Sequence, residues 1–162
     1  MKLFHGSYLV VSVPQILAPA RMLDFGAGFY TTTDSGQARN FTKRFAHMNK
    51  KRVMNSYTYD AKGATANLSV LTFHKADELW LRYVVANRSG AGNPDAYDIV
   101  KGPVANDRVY DVVEAFEIGD YSEDEAISRL MAFRLTDQVV FKSESSLRYL
   151  VFDSSEELGN DE

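Results

Sequence analysis

The 162-residue chain contains no cysteine, which removes disulfide stapling and thiolate catalysis at the outset. Histidine is scarce too. With only His5, His47 and His74 and no cysteine to draw on, a metal site is not expected. No run approaches the roughly 20 apolar residues that cross a bilayer. The opening residues resemble a leader, but His5, Ser7, Ser12, Pro14 and Gln15 interrupt its apolar core, so a cytoplasmic protein with no membrane partner is expected. Acidic residues are absent between Ser35 and Tyr59, where Arg39, Lys43, Arg44, Lys50, Lys51 and Arg52 all fall. A solvated helix face is the ordinary reading of such a run; a docking patch for phosphates, an acidic protein or nucleic acid is the functional one, the last disfavoured by the lack of stacking aromatics on the same face. The net charge of −4 argues against a nucleic-acid binder as a whole.

What is present suits one globular domain. Hydrophobic residues make up 45% and charged residues 25%, enough to build a core without metal or disulfide. The domain is expected over 1–153, followed by an acidic, disordered tail over 154–162. Strands are expected at KLFHG, GFYTTT, RVMNSYTYD, LSVLTFH, YDIVKGPVA, DQVVFKS and RYLVF. A helix should follow the cap Asp34-x-x-Gln37, with Ala38, Phe41, Phe45 and Met48 as its apolar stripe. Further helices are expected at ADELWLRYVVANR, with Leu79, Trp80, Tyr83 and Val84 inward, at NDRVYDVVEAF, and after the capping box Ser122-x-x-Glu125. AKGATAN and ESSL read as polar connections, and AGNP as a helix break. Strands and helices mix without a regular βαβ rhythm, so the fold class is α+β, with the first and last strands in one core.

Four short features carry candidate chemistry. His5-Gly6-Ser7 ends the first strand, where a glycine lets a ligand reach the backbone. Gly26-Ala27-Gly28 leads into Phe29 and Tyr30; it is too short for a dinucleotide fingerprint, yet an aromatic beside glycines can wall a flat ring. Asp137-Gln138 opens the VVF strand. Asp98, Lys101, Asn106 and Asp107 gather around Gly102-Pro103, with Asn106 or Asp107 suited to cap a helix.

In this order the features resemble the ADP-ribosyltransferase superfamily, in its diphtheria-toxin and poly(ADP-ribose)-polymerase branch with the His-Tyr-Glu signature. FGAGFYTT is similar to that branch's FGKGIYF, and TDQVVF to its NEYIVY. The combination also resembles a bacterial family of the superfamily, from Leu3 to about Phe152. The resemblance implies a mixed β-sheet core with flanking helices, NAD as the donor substrate, and a protein or nucleic-acid acceptor of ADP-ribose. A toxin role, with an antitoxin protein as partner, belongs to the same implication. It further implies that His5 binds a ribose hydroxyl, that the Gly6 backbone holds the nicotinamide carboxamide, and that Tyr30 stacks on the ring. Ser7 and Gly28 would complete the NAD contacts. Gln138 stands where the signature has its catalytic glutamate, and this is the main departure. Three outcomes follow from it: slow transfer with Gln138 as a positioning group, rescue of the missing charge by Asp107 or Asp137, or binding without turnover.

Overall fold

The computed structural model describes residues 1–18, 23–90 and 96–160. In chain order they form β1 (Lys2–Ser7), β2 (Phe29–Thr32), α1 (Ser35–Ala46), β3 (Arg52–Tyr59), α2 (Ala61–Asn67), β4 (Val70–Thr72) and α3 (Glu78–Arg88). There follow β5 (Ile99–Pro103), α4 (Asp107–Glu117), α5 (Glu123–Leu130), β6 (Asp137–Phe141), α6 (Glu144–Leu147) and β7 (Leu150–Leu158). The strands make one sheet in the order β4-β5-β6-β2-β1-β3-β7. Only β4 and β5 run parallel; the other neighbours are antiparallel. The protein is α+β, with its first and last strands in the same sheet. No helix among the described residues is long and apolar enough to cross a membrane, and none of their acidic and histidine side chains cluster as metal ligands.

Strand alternation sorts the core into two faces. Val100 and Val140 pair across β5 and β6 and pack with Trp80, Leu81 and Val84 of α3, Val113 of α4 and Leu130 of α5. On the opposite face, Leu3, Phe29, Tyr57, Val139 and Phe141 pack with Ala64 of α2 and Leu150. Gly6 lies close under α1: a Cβ there would stand 2.6 Å from the Ala38 carbonyl oxygen. The face that carries Gly6 and Val140 therefore holds α1 over one half and α3–α5 over the other.

The helix signals hold at their starts. Asp34 accepts from the Gly36 and Gln37 amides, Asn106 from Val109, and Ser122 with Glu125 forms a complete capping box. Several expectations are corrected. AKGATAN is a helix, because Asp60 caps it at Gly63 and Ala64 is drawn into the core; ESSL is a short helix capped by Ser143. In α3 Trp80, Leu81, Val84 and Asn87 are buried and Tyr83 packs against the core as expected, whereas Leu79 points to solvent. In α1 the buried positions are Ala38 and Thr42; Phe41 is exposed and Met48 lies beyond the helix end. Small residues are needed inward because α1 sits so near β1. The AGNP break lies outside the described residues.

The acidic end is also corrected. Residues 154–158 continue β7, laddered to β3, with Leu158 packed on Ala38 and Met54. Glu156 pairs with Arg39 and Glu157 with Lys51, both at 2.8 Å, so the acids of this strand answer the basic run. Arg52 is not on the outer face. It is buried, donating to Thr42 Oγ1 at 3.1 Å and to the Gly159 carbonyl.

Candidate functional site

The site forms where the sheet parts. β1 and β2 share a single paired position, Phe4 with Thr32. Continued, that register would set Gly6 opposite Tyr30. Instead, the His5 ring enters the gap and Nδ1 lies 2.7 Å from the Tyr30 carbonyl oxygen. A carbonyl only accepts, so Nδ1 carries the proton and the lone pair of Nε2 remains for another donor. Burial holds the His5 pKa below its ordinary value, against the smaller opposing effect of the Tyr30 carbonyl bond. The ring packs on Phe29, with centroids 4.4 Å apart.

Tyr30 is held by the turn before it. Its hydroxyl donates to the Gly26 carbonyl at 2.7 Å and accepts from the Phe25 amide at 3.1 Å. Gly26 adopts φ +76°, which glycine reaches without penalty. Lys142, just past β6, donates to the carbonyls of Phe25 and Ala27 and fastens the turn from behind. Burial pushes the Tyr30 hydroxyl pKa up, with Asp24 adding to the rise, so the group stays protonated and serves as a wall rather than a base.

Across β2, Thr32 faces Gln138 and Tyr30 faces Val140 in the ladder with β6. Gln138 is buried, and its Nε2 points to the Pro103 carbonyl at 3.4 Å. The outcome is a crevice of about 150 Å³. Gly6, Tyr30, Thr32 and Gln138 line its floor, Gln37 and Phe41 of α1 one side, and Val104 the other. By alternation His5 belongs to the opposite face, and it reaches this opening only because the strands separate there.

Residues 1–152 match the model of a family described as a protein of unknown function (DUF3990). The chain belongs to the DUF3990 family. Among curated proteins and among solved structures, nothing matches it.

Electrostatically, the crevice of this DUF3990 protein is neutral. Among the described residues lining it there is no carboxylate and no lysine or arginine. Two larger depressions adjoin it, and Tyr30 borders both. One, of about 700 Å³, includes His5, Ser7, Gly28, Phe41 and Arg44 and is otherwise largely apolar. The other, of about 770 Å³, is charged: Asp24, Glu114 and Glu117 face Arg44 and Arg88. Arg88 lies over the Tyr110 ring at 4.0 Å, with Nε 4.0 Å from Asp24 and 3.9 Å from Glu117.

The sequence-derived candidates divide accordingly. His5, Gly6, Tyr30 and Gln138 meet in the crevice; Ser7 and Gly28 line its larger neighbour. Gly28 has a packing reason of its own, since a Cβ would stand 2.6 Å from Val140 Cγ1. Ser7 Oγ accepts from the Leu9 amide at 3.2 Å. Asn106 is occupied as the α4 cap. Asp137 does not line the crevice: it borders a separate depression with His74 and Lys75, its carboxylate 4.0 Å from Lys101. Asp107 opens α4, and its side chain lies outside the described residues.

Sequence reasoning missed Gln37, Thr32, Phe41 and Val104. Gln37 had a signal, the fourth place of a capping box, but it does not close that box. Its Oε1 accepts from the Thr32 hydroxyl at 3.0 Å and from Thr136, which draws the amide to the crevice. The set can clasp a flat ring at Tyr30 and bind hydroxyl and amide groups through His5 Nε2, Gln138 and the backbone edge at Gly6. It has no charge with which to stabilise a cation.

Proposed function

We propose that this chain binds NAD at the parted strands and transfers ADP-ribose to a protein or nucleic-acid acceptor, on an ADP-ribosyltransferase version of its α+β fold. One observation carries this reading. Residues 5, 30 and 138, far apart in sequence and on three different strands, border one opening. Tyr30 would stack on the nicotinamide, the backbone at Gly6, laddered to β3 but not to β2, would pair with the carboxamide, and His5 Nε2 would accept from a ribose hydroxyl. About 150 Å³ suits one ring and no more; the rest of a dinucleotide would extend into the adjoining depressions, which fall in the usual ligand-pocket range of roughly 300–1,000 Å³.

In the reaction, the bond from ribose C1′ to the nicotinamide nitrogen breaks and its electron pair leaves with a neutral ring. The acceptor's nucleophile bonds to C1′ and releases its proton. Positive charge spreads over the ribose between these events, as in glycoside cleavage. Fixing ring and ribose beforehand lowers the barrier through orientation. Gln138 can position the 2′-hydroxyl but does not oppose the charge. A toxin role belongs to the same proposal.

The test is incubation of the protein with labelled NAD and cell lysate, reading label on macromolecules and release of free nicotinamide. Transfer supports the proposal; the absence of both transfer and nicotinamide release refutes its enzymatic part. A second reading, an NAD-binding module without turnover, is favoured by the absence of any carboxylate among the described residues of the crevice. Gln138→Glu separates the two. At about 4 Å and an effective dielectric near 20, a carboxylate is worth roughly 4 kcal/mol to the ribose cation, on the order of 10³ in rate. A vestigial site gains nicotinamide release with this change, whereas a site that uses its glutamine loses it.

A further inference from the structure

The segment between β1 and β2 exposes large apolar side chains: Leu9 (55%), Val10 (58%), Val13 (73%) and Leu17 (69%). Such clustering on a folded surface needs an explanation, whereas scattered single residues do not. Loose backbone does not supply it. Asn55 of β3 accepts from the Val11 amide at 2.9 Å and donates to the Leu9 carbonyl at 3.1 Å, while the Tyr57 hydroxyl donates to the Val11 carbonyl at 2.7 Å. Residues 9–11 are tied down by their main chain, with Val11 packed against the core and Leu9 and Val10, like Val13 and Leu17, turned outward. Together with Phe41 these line the concave depression of about 700 Å³ beside the crevice.

Two cations border this groove: Arg44, which also lines the charged depression with Asp24, Glu114 and Glu117, and Lys50 beside Tyr8. The Arg44 guanidinium lies 3.7 Å from the centre of the Phe41 ring, and Lys50 Nζ lies 4.1 Å from that of Tyr8. The same basic run already takes carboxylates from the chain itself, in the pairs Arg39–Glu156 and Lys51–Glu157. We propose that the groove is a docking surface for a partner protein, which inserts a short segment bearing apolar anchors flanked by Asp or Glu.

Charge complementarity selects this occupant. A second copy of the chain is disfavoured, because a two-fold contact through this groove would set Arg44 and Lys50 against their own counterparts. A membrane surface calls for apolar groups that project into the lipid boundary, whereas these line a hollow. His5 and Tyr30 border the groove, so a seated segment closes the crevice mouth. Docking itself does not depend on what the crevice binds.

The test is selection of a random twelve-residue displayed-peptide library against the full chain. The expected result is enrichment of peptides with two or more Asp or Glu beside Leu, Ile, Phe or Trp. The synthesised winners should weaken at least tenfold against Val13→Asp and against Lys50→Glu, both exposed substitutions that leave the melting temperature unchanged. Replacing one peptide carboxylate with lysine should restore binding to the Lys50→Glu protein. No enrichment, enrichment of basic peptides, or affinities indifferent to both substitutions would overturn the proposal. So would binding to phosphatidylserine vesicles, or concentration-dependent dimers, that Val13→Asp abolishes in place of peptide binding. Failure of NAD to bind leaves every one of these readouts intact, so the two proposals fail separately.

Discussion

At the scale of single residues, the candidate site depends on groups that also hold the fold. Gly6 is required by α1 before any ligand is considered. Gly6→Ala directs a methyl at backbone, the Ala38 carbonyl oxygen 2.6 Å away, and at Thr42 Cγ2 3.0 Å away. The helix must shift, at a cost of about 1–3 kcal/mol for overpacking. A chain of this length loses roughly 2–4 °C in melting temperature per kcal/mol, so scanning calorimetry should record a drop of several degrees. His5 yields a second prediction. Burial depresses its folded pKa below the ordinary 6.5, so on acidification the unfolded chain takes up this proton first. The stability from a neutral His5 is complete above about pH 6.5 and is lost as pH falls through the depressed folded value. Thermal melts from about pH 7.5 down to about pH 5 should therefore show a steeper decline for the natural protein than for His5→Gln, whose side chain does not titrate. Equal slopes would mean that His5 is as easily protonated in the fold as outside it.

At the scale of elements, β7 is a structural member and not an appendage. It ladders to β3 from Arg52 to Tyr59, and Arg52 in turn reaches the Gly159 carbonyl from inside the protein. Ending the chain after Asp153 removes five strand residues, two ion pairs and the buried Leu158, and uncovers part of the β3 edge. The surface pairs are worth little individually; the lost ladder and Leu158 dominate. The truncated protein should melt well below the intact one and aggregate on concentration, both visible by calorimetry and light scattering. Loss of a disordered tail would change neither. This element also marks where sequence reading stops. DSSEEL has no apolar alternation, because β7 lies at the sheet edge with most of its side chains in solvent; its place is set by a long-range ladder and by the charges of Arg39 on α1 and Lys51 just before β3. AKGATAN was obscured by turn-like composition, its helix depending on Asp60 as cap and on a contact of Ala64 with the core. By contrast, the caps at Asp34, Asn106 and Ser122 depend on neighbours three residues away and were readable directly. His5, Tyr30 and Gln138 were placed by the order of short motifs. Gln37 and Phe41 were not, because what turns them to the crevice is the tight seat of α1 on Gly6, a contact invisible in local sequence.

At the scale of the molecule, the crevice lies between α1 on one side and the β5–α4 connection on the other, over a sheet with a single paired position joining β1 to β2. A ligand seated there touches both halves of the protein across this weak seam. Its binding energy should therefore appear as global stability and not only as local order. Linkage gives about 2.7 kcal/mol when ligand is present at 100 times its dissociation constant. At roughly 2–4 °C per kcal/mol, saturating NAD should raise the melting temperature by about 5–10 °C. Tyr30→Ala removes the ring and its bonds to the turn, so its unliganded melting temperature will fall as well; the shift caused by NAD, not the absolute value, is the quantity to compare. That shift should vanish in Tyr30→Ala. Tyr30→Phe keeps the ring while releasing the Gly26 carbonyl and the Phe25 amide, and should retain most of the shift on a lower baseline. An equal NAD shift in the natural protein and in Tyr30→Ala would place the nucleotide elsewhere, and no shift in the natural protein would remove NAD from the crevice altogether.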